Sequence, residues 1–154
     1  MRAILSSIEG EWRRYQVLGE GALRQTRNDE LTADGPGGGN SIAIIIRHIA
    51  GNLKSRFTDF LTSDGEKSWR RRDSEFEQRD MSREDLMRTW NEGWNILFAA
   101  LAPLTDDDLS RTVIIRGERF LVQKRCYACL RTRAITWDRS STWRSHFVEV
   151  SGIT

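Results

Sequence analysis

The stretch Ser41-Ile-Ala-Ile-Ile-Ile-Arg-His-Ile-Ala-Gly-Asn-Leu53 constrains this chain more than any other. It reads as the start of a helix running to about Leu61, with Asn40 standing before it as the expected N-cap. Its first two turns are apolar nearly all round, and a helix of that kind is stable only when both flanks are covered. One helix cannot do that alone, so the rest of the chain must supply cover on two sides.

Two further segments have the pattern to do it. From residue 3 to 27, Ile4, Leu5, Ile8, Trp12, Tyr15, Leu18, Ala22 and Leu23 recur at spacings of three and four between charged residues, which predicts an amphipathic helix. Ser82 is the expected N-cap of another, with Asp85 three positions on, and Leu86, Trp90, Trp94, Leu97, Phe98 and Leu101 form its apolar stripe before Pro103. Trp90 and Trp94 are therefore expected in the core.

Between these helices the composition changes. Asn28 to Gly39, rich in glycine, reads as a loop, and the polar stretch from Ser63 to Asp80 as a long connection with a turn signal at Asp64-Gly65. Arg70-Arg71-Arg72 within it is flanked by Asp73, Glu75 and Glu77 and reads as a solvated run whose field is largely cancelled. Asp106 to Leu109 reads as a short turn. The segment from Val113 to Val122 has apolar runs on both sides of Arg-Gly-Glu and predicts a small hairpin centred near Gly117.

Three antiparallel helices with buried stripes call for a fourth to close the core. The residues left for it include Arg131-Thr-Arg-Ala-Ile-Thr-Trp-Asp-Arg-Ser-Ser-Thr-Trp-Arg-Ser-His-Phe147, which follow neither a 3.6-residue nor a two-residue apolar period. Charge changes there too. From residue 124 on, Lys124, Arg125, Arg131, Arg133, Arg139 and Arg144 face only Asp138 and Glu149, a local balance of +4 in a chain of net charge +2. Both cysteines lie in Cys126-Tyr-Ala-Cys129, without the strand-to-helix context of a redox pair or the further ligands of a zinc site, so they read as incidental thiols.

At 154 residues the chain is expected to form one domain. It has no run of eighteen apolar residues and no charged-then-apolar start, so a cytoplasmic protein without a membrane partner is expected.

The segment Gly39-Asn-Ser-Ile-Ala-Ile-Ile-Ile-Arg-His48-Ile-Ala-Gly-Asn-Leu53, followed by Ser55-Arg-Phe-Thr-Asp-Phe-Leu61, Asp64-Gly-Glu66, Trp69 and Arg72-Asp-Ser-Glu-Phe-Glu77, resembles the DinB/YfiT-like superfamily. More narrowly, it resembles an uncharacterised bacterial subset of that superfamily. The likeness covers residues 1 to about 123. It implies an all-α, up-down-down-up four-helix bundle with a small hairpin before helix 4. It also implies a divalent metal (zinc, nickel or similar) held by a histidine of the second helix and an H-x-x-x-H pair of the fourth. Some relatives are thiol-dependent S-transferases, so a thiol or other small molecule is the implied substrate.

His48 matches the second-helix ligand. A lone histidine on an apolar helix is more often a hydrogen-bonded core or cleft residue; the resemblance makes it a ligand. Two histidines four apart share one helical face and, with a third from a neighbour, leave a coordination position open for water or substrate. The chain has only His48 and His146, and Thr132 and Thr136 stand where the fourth-helix pair is expected. One imidazole does not hold a metal tightly, so no tightly bound metal and no metal-dependent activity are expected of the chain as written. His146 lies ten residues beyond the second position, in a tail without helical pattern.

The genetic code offers a reason. Codons for Ile135 to Ser145 can be chosen so that skipping two bases yields His-Val-Gly-Gln-Ile-Val-Tyr-Leu-Ala-Lys, the kind of fourth helix that the resemblance implies. The freedom is small: Trp137 before Asp138 forces glycine in the shifted frame, and Thr142 before Trp143 allows only Leu, Met or Val. Upstream, Leu130 to Thr136 admits Ala-His-Thr-Arg-Tyr-His, and Lys124 to Cys126 admits Glu-Ala-Leu if one base was lost after Gln123. Residues 1–123 thus read as helices 1–3 plus hairpin, and residues 124–154 as an out-of-frame fourth-helix segment.

Such a tail accounts for its own arginines and tryptophans without selection, so nucleic acid is not the expected partner. A degenerate fourth helix buries less apolar area and predicts low stability or self-association, a homodimer in the simplest case. A non-catalytic bundle acting by binding or oligomerisation is the alternative function.

Overall fold

The computed structural model describes residues 2–35 and 37–126. They form three long helices, α1 (Ala3–Gln25), α2 (Ile42–Phe57) and α3 (Arg83–Leu101), and a two-stranded antiparallel hairpin, β1 (Thr112–Ile115) and β2 (Glu118–Leu121). Short 3-10 turns at Asn28–Glu30, Asp73–Phe76 and Asp106–Ser110 join them, and residues 122–126 turn helical after β2.

The apolar second helix is buried as its composition demands: Ile42, Ala43, Ile44, Ile45, Ile46, Ile49, Ala50, Leu53 and Phe57 are all in the interior. Its N-cap is Ser41 rather than Asn40, with the Ser41 hydroxyl accepting from the Ile44 N–H at 3.3 Å. It ends at Phe57, four residues before Leu61, because Thr58 is extended and Asp59 takes a φ of 49°. Asp tolerates the left-handed region, and the Asp59 carbonyl then accepts from Thr62 and Ser63 in a tight turn.

α2 packs most extensively on α3, with the closest approach at Gly93. A Cβ there would lie 2.9 Å from Ala50 Cα, so only glycine allows the two backbones to meet. α1 closes the layer with Leu5, Ile8, Trp12, Ala22 and Leu23, whereas Ile4, read as part of the stripe, is 46% exposed. Edge-to-face contacts of Trp12 with Phe57 and Trp94, and of Trp90 with Trp94, tie the three helices together, and Trp90 and Trp94 are core residues as expected.

The helix ends are tied across the chain. The Asp106 carboxylate accepts from the Ile4 and Leu5 N–H groups at the start of α1, while Arg2 donates to the Leu101 and Leu104 carbonyls at the end of α3. Each contact meets backbone groups that a helix leaves unsatisfied, with charges that suit the helix dipole. Ser82 caps α3 as its sequence predicts, accepting from the Asp85 N–H at 3.1 Å.

The hairpin turns at Arg116-Gly117, both with positive φ, the two-residue turn whose twist matches antiparallel strands. Val113 and Ile115 face inward and Ile114 outward. Val122 and Cys126, one helical turn apart, complete the described core. The architecture is thus mainly helical with one small sheet. Cys129, Thr132, Thr136 and His146 lie outside the described residues, as does the body of the expected fourth helix.

Candidate functional site

His48 sits in the middle of α2, and the 63–80 connection folds back over it. Arg47 fixes that return by donating to the carbonyls of Ser74 and Glu77. The turn Asp73–Phe76 is thereby laid along α2, placing Glu75 over the helix and the Phe76 ring 4.9 Å from the imidazole.

Glu75 is the centre of the arrangement. Its Oε2 lies 2.9 Å from His48 Nδ1 and 2.9 Å from Arg70 Nη2, and its Oε1 accepts from Arg70 Nε at 2.8 Å. The third nitrogen of that guanidinium, Nη1, donates to Ser55 Oγ at 3.2 Å. Burial pushes the Glu75 carboxyl upward, but the hydrogen bonds from His48 and Arg70 and the charge of Arg70 outweigh it and hold it below its ordinary range. Glu75 is therefore an acceptor only, so Nδ1 of His48 carries a proton and donates to it, while Nε2 has no partner among the described residues.

Space for the carboxylate comes from Gly51, one turn beyond His48. A Cβ at that position would stand 2.2 Å from Glu75 Oε1 and 2.8 Å from its Cδ. Any other residue would push the carboxylate off the helix.

The arginine run was expected to be solvated, and Arg71 and Arg72 are exposed, but the Arg70 side chain is only 3% exposed. A bidentate pair with a buried carboxylate stabilises a guanidinium inside the protein. Neither Glu75 nor Arg70 had been singled out as a site residue. The available signal was Gly51, an isolated glycine within a helix, which costs about 1 kcal/mol relative to alanine and so marks a close approach.

Chemically, the group presents one imidazole nitrogen, oriented from behind by an anchored carboxylate and edged by an exposed aromatic ring. That is how metal-ligating histidines are commonly held. His48 suits the ligand role, yet the described residues contain no group of three or more His, Cys, Asp or Glu side chains that could hold a metal ion. Glu75 is already engaged by Arg70. No helix among the described residues is long and apolar enough to cross a membrane.

Residues 1–133 match a family described as a protein of unknown function, DUF1572. No curated protein and no solved structure matches the chain.

Proposed function

The chain belongs to the DUF1572 family, and from that premise we propose that it is a DinB/YfiT-like bundle retaining one ligand, His48, of a three-histidine divalent-metal site. The ancestral activity in this reading is transfer chemistry on a thiol or other small molecule. The observation that supports it is the His48–Glu75–Arg70 chain, which occupies Nδ1 and leaves Nε2 without a partner among the described residues. A metal there would lower the pKa of a bound water or thiol.

The residues present do not complete that site. Thr132 and Thr136 stand at the two other ligand positions, and neutral hydroxyls are poor substitutes for imidazole. In this reading the chain is an incomplete member of its family, with a lost base displacing the frame of the fourth-helix segment; the family match itself runs on to residue 133. Its gene should show a single lost base near codon 124. An intact frame whose codons cannot give the histidine pair would end that explanation.

Metal analysis tests the site itself. After dialysis the purified chain should carry far less than one divalent ion per protomer, whereas T132H/T136H, or a chain with the frame restored, should carry close to one. Tight binding of one ion by the unaltered chain would overturn the reading.

A further inference from the structure

The segment that lies over His48 is held down by polar contacts and not by the core. Between Lys67 and Asp80 the only apolar side chains are Trp69 and Phe76, and they are 55% and 38% exposed. A segment that buries so little apolar surface lifts at a lower cost than unfolding the helices beneath it.

Its ties to the rest of the molecule are few and specific. Arg47 donates to the Ser74 and Glu77 carbonyls, His48 Nδ1 to Glu75 Oε2, Arg70 Nη1 to Ser55 Oγ, and the Gln78 amide to the Thr32 carbonyl and Asp34 Oδ1. The bidentate ion pair is not one of those ties. Arg70 and Glu75 both belong to the segment, so the carboxylate seated over His48 carries its own counter-ion and leaves α2 without stranding a buried charge. Both ends are anchored elsewhere. Asp64 accepts from the Glu66, Arg116 and Gly117 N–H groups and Glu66 pairs with Arg116, which fixes one end on the hairpin, while the Ser82 cap fixes the other on α3.

We propose that residues 67–80 are a lid over His48 that lifts from α2 as a unit, with Glu75 leaving in its pair with Arg70. Closed, the lid holds Nδ1 of the imidazole and covers Ser55; open, it admits a ligand to both from the side that Glu75 and Phe76 occupy. The lid is independent of the metal reading, because neither Thr132 nor Thr136 takes part in it.

Labelling the full chain with phenylglyoxal under limiting reagent, mapped by fragment mass spectrometry, tests this with references next to the probe. Arg71 and Arg72 are exposed and react at the rate of a free arginine, whereas Arg70, its side chain 3% exposed, reacts more slowly. If the lid lifts on its own, the Arg70 rate rises only shallowly with urea, because little surface is uncovered, and R47M raises it about tenfold at unchanged helix content. The lid is overturned by an Arg70 rate that follows the steep urea dependence of global unfolding read from tryptophan fluorescence, that equals those of Arg71 and Arg72 in the native chain, or that a folded R47M leaves unchanged. Should R47M not fold, the urea dependence of the unaltered chain decides.

Discussion

Around Glu75, one carboxylate receives both edge nitrogens of Arg70 and the Nδ1 of His48, and the last Arg70 nitrogen finds Ser55. Around Glu66, one carboxylate oxygen is divided between Arg56 and Arg116, and two Arg56 nitrogens and one from Arg125 find no partner among the described residues. Both clusters pin the 63–80 connection to α2 with the same residue types. What separates them is completeness. A satisfied network holds a side chain in one tautomer and one orientation; a network short of one acceptor retains most of the desolvation cost without the compensating bond.

Equivalent substitutions should therefore have unequal effects. E75Q leaves Arg70 charged and buried, and is expected to cost about 3–5 kcal/mol in denaturant unfolding, a large part of a small domain's stability. R56M removes one ion pair and two unmet donors together, and should change stability by less than about 1 kcal/mol in either direction. Equal losses at the two positions would erase the contrast.

The next effect is steric. G51A places a methyl group against the Glu75 carboxylate, and overpacking of about 1–3 kcal/mol should exceed the helix-propensity gain of roughly 1 kcal/mol. G10A in α1, where a Cβ meets nothing within 4 Å, should show the gain alone. If G51A is as stable as G10A, the carboxylate is not seated where the structure has it.

The smallest effect is acid sensitivity. Burial raises the Glu75 pKa, but its hydrogen bonds and Arg70 bring it below the ordinary value. The hydrogen bond from Arg116 does the same to Glu66, aided by Arg56, and the Glu66, Gly117 and Arg116 N–H groups lower Asp64. Folded carboxyl pKa values below the unfolded ones mean stability that is complete above the ordinary carboxylate range and lost as pH falls through it. Tm should be flat near neutral pH and decline below about pH 5, with a shallower decline in E75Q. A Tm that rises on acidification would reverse the sign of this account.

Much of the scaffold was legible from short-range pattern. The α1 and α3 stripes, the Ser82 cap and the Gly117 turn depend on residues within a few positions of one another, and apart from the exposed Ile4 each is found where expected. The misplaced details were local competitions: Ser41 capped in place of Asn40, and Asp59 reversed the chain before Leu61. His48 was identified through family likeness. Its partner was not, because nothing local distinguishes Glu75 from Asp73 or Glu77 in a run of alternating charge.

The sequence by itself determined that this chain builds amphipathic helices around a doubly covered second one, and that it supplies one histidine where its resemblance calls for three. Those properties follow from periodicity and residue count. Only the tertiary structure decided that Arg70 is buried while Arg71 and Arg72 are not, that Gly51 is the recess for Glu75, and that Arg56 shares Glu66 with Arg116. Burial and pairing are set by which distant segment folds back onto a surface, and identical side chains acquire opposite roles from it.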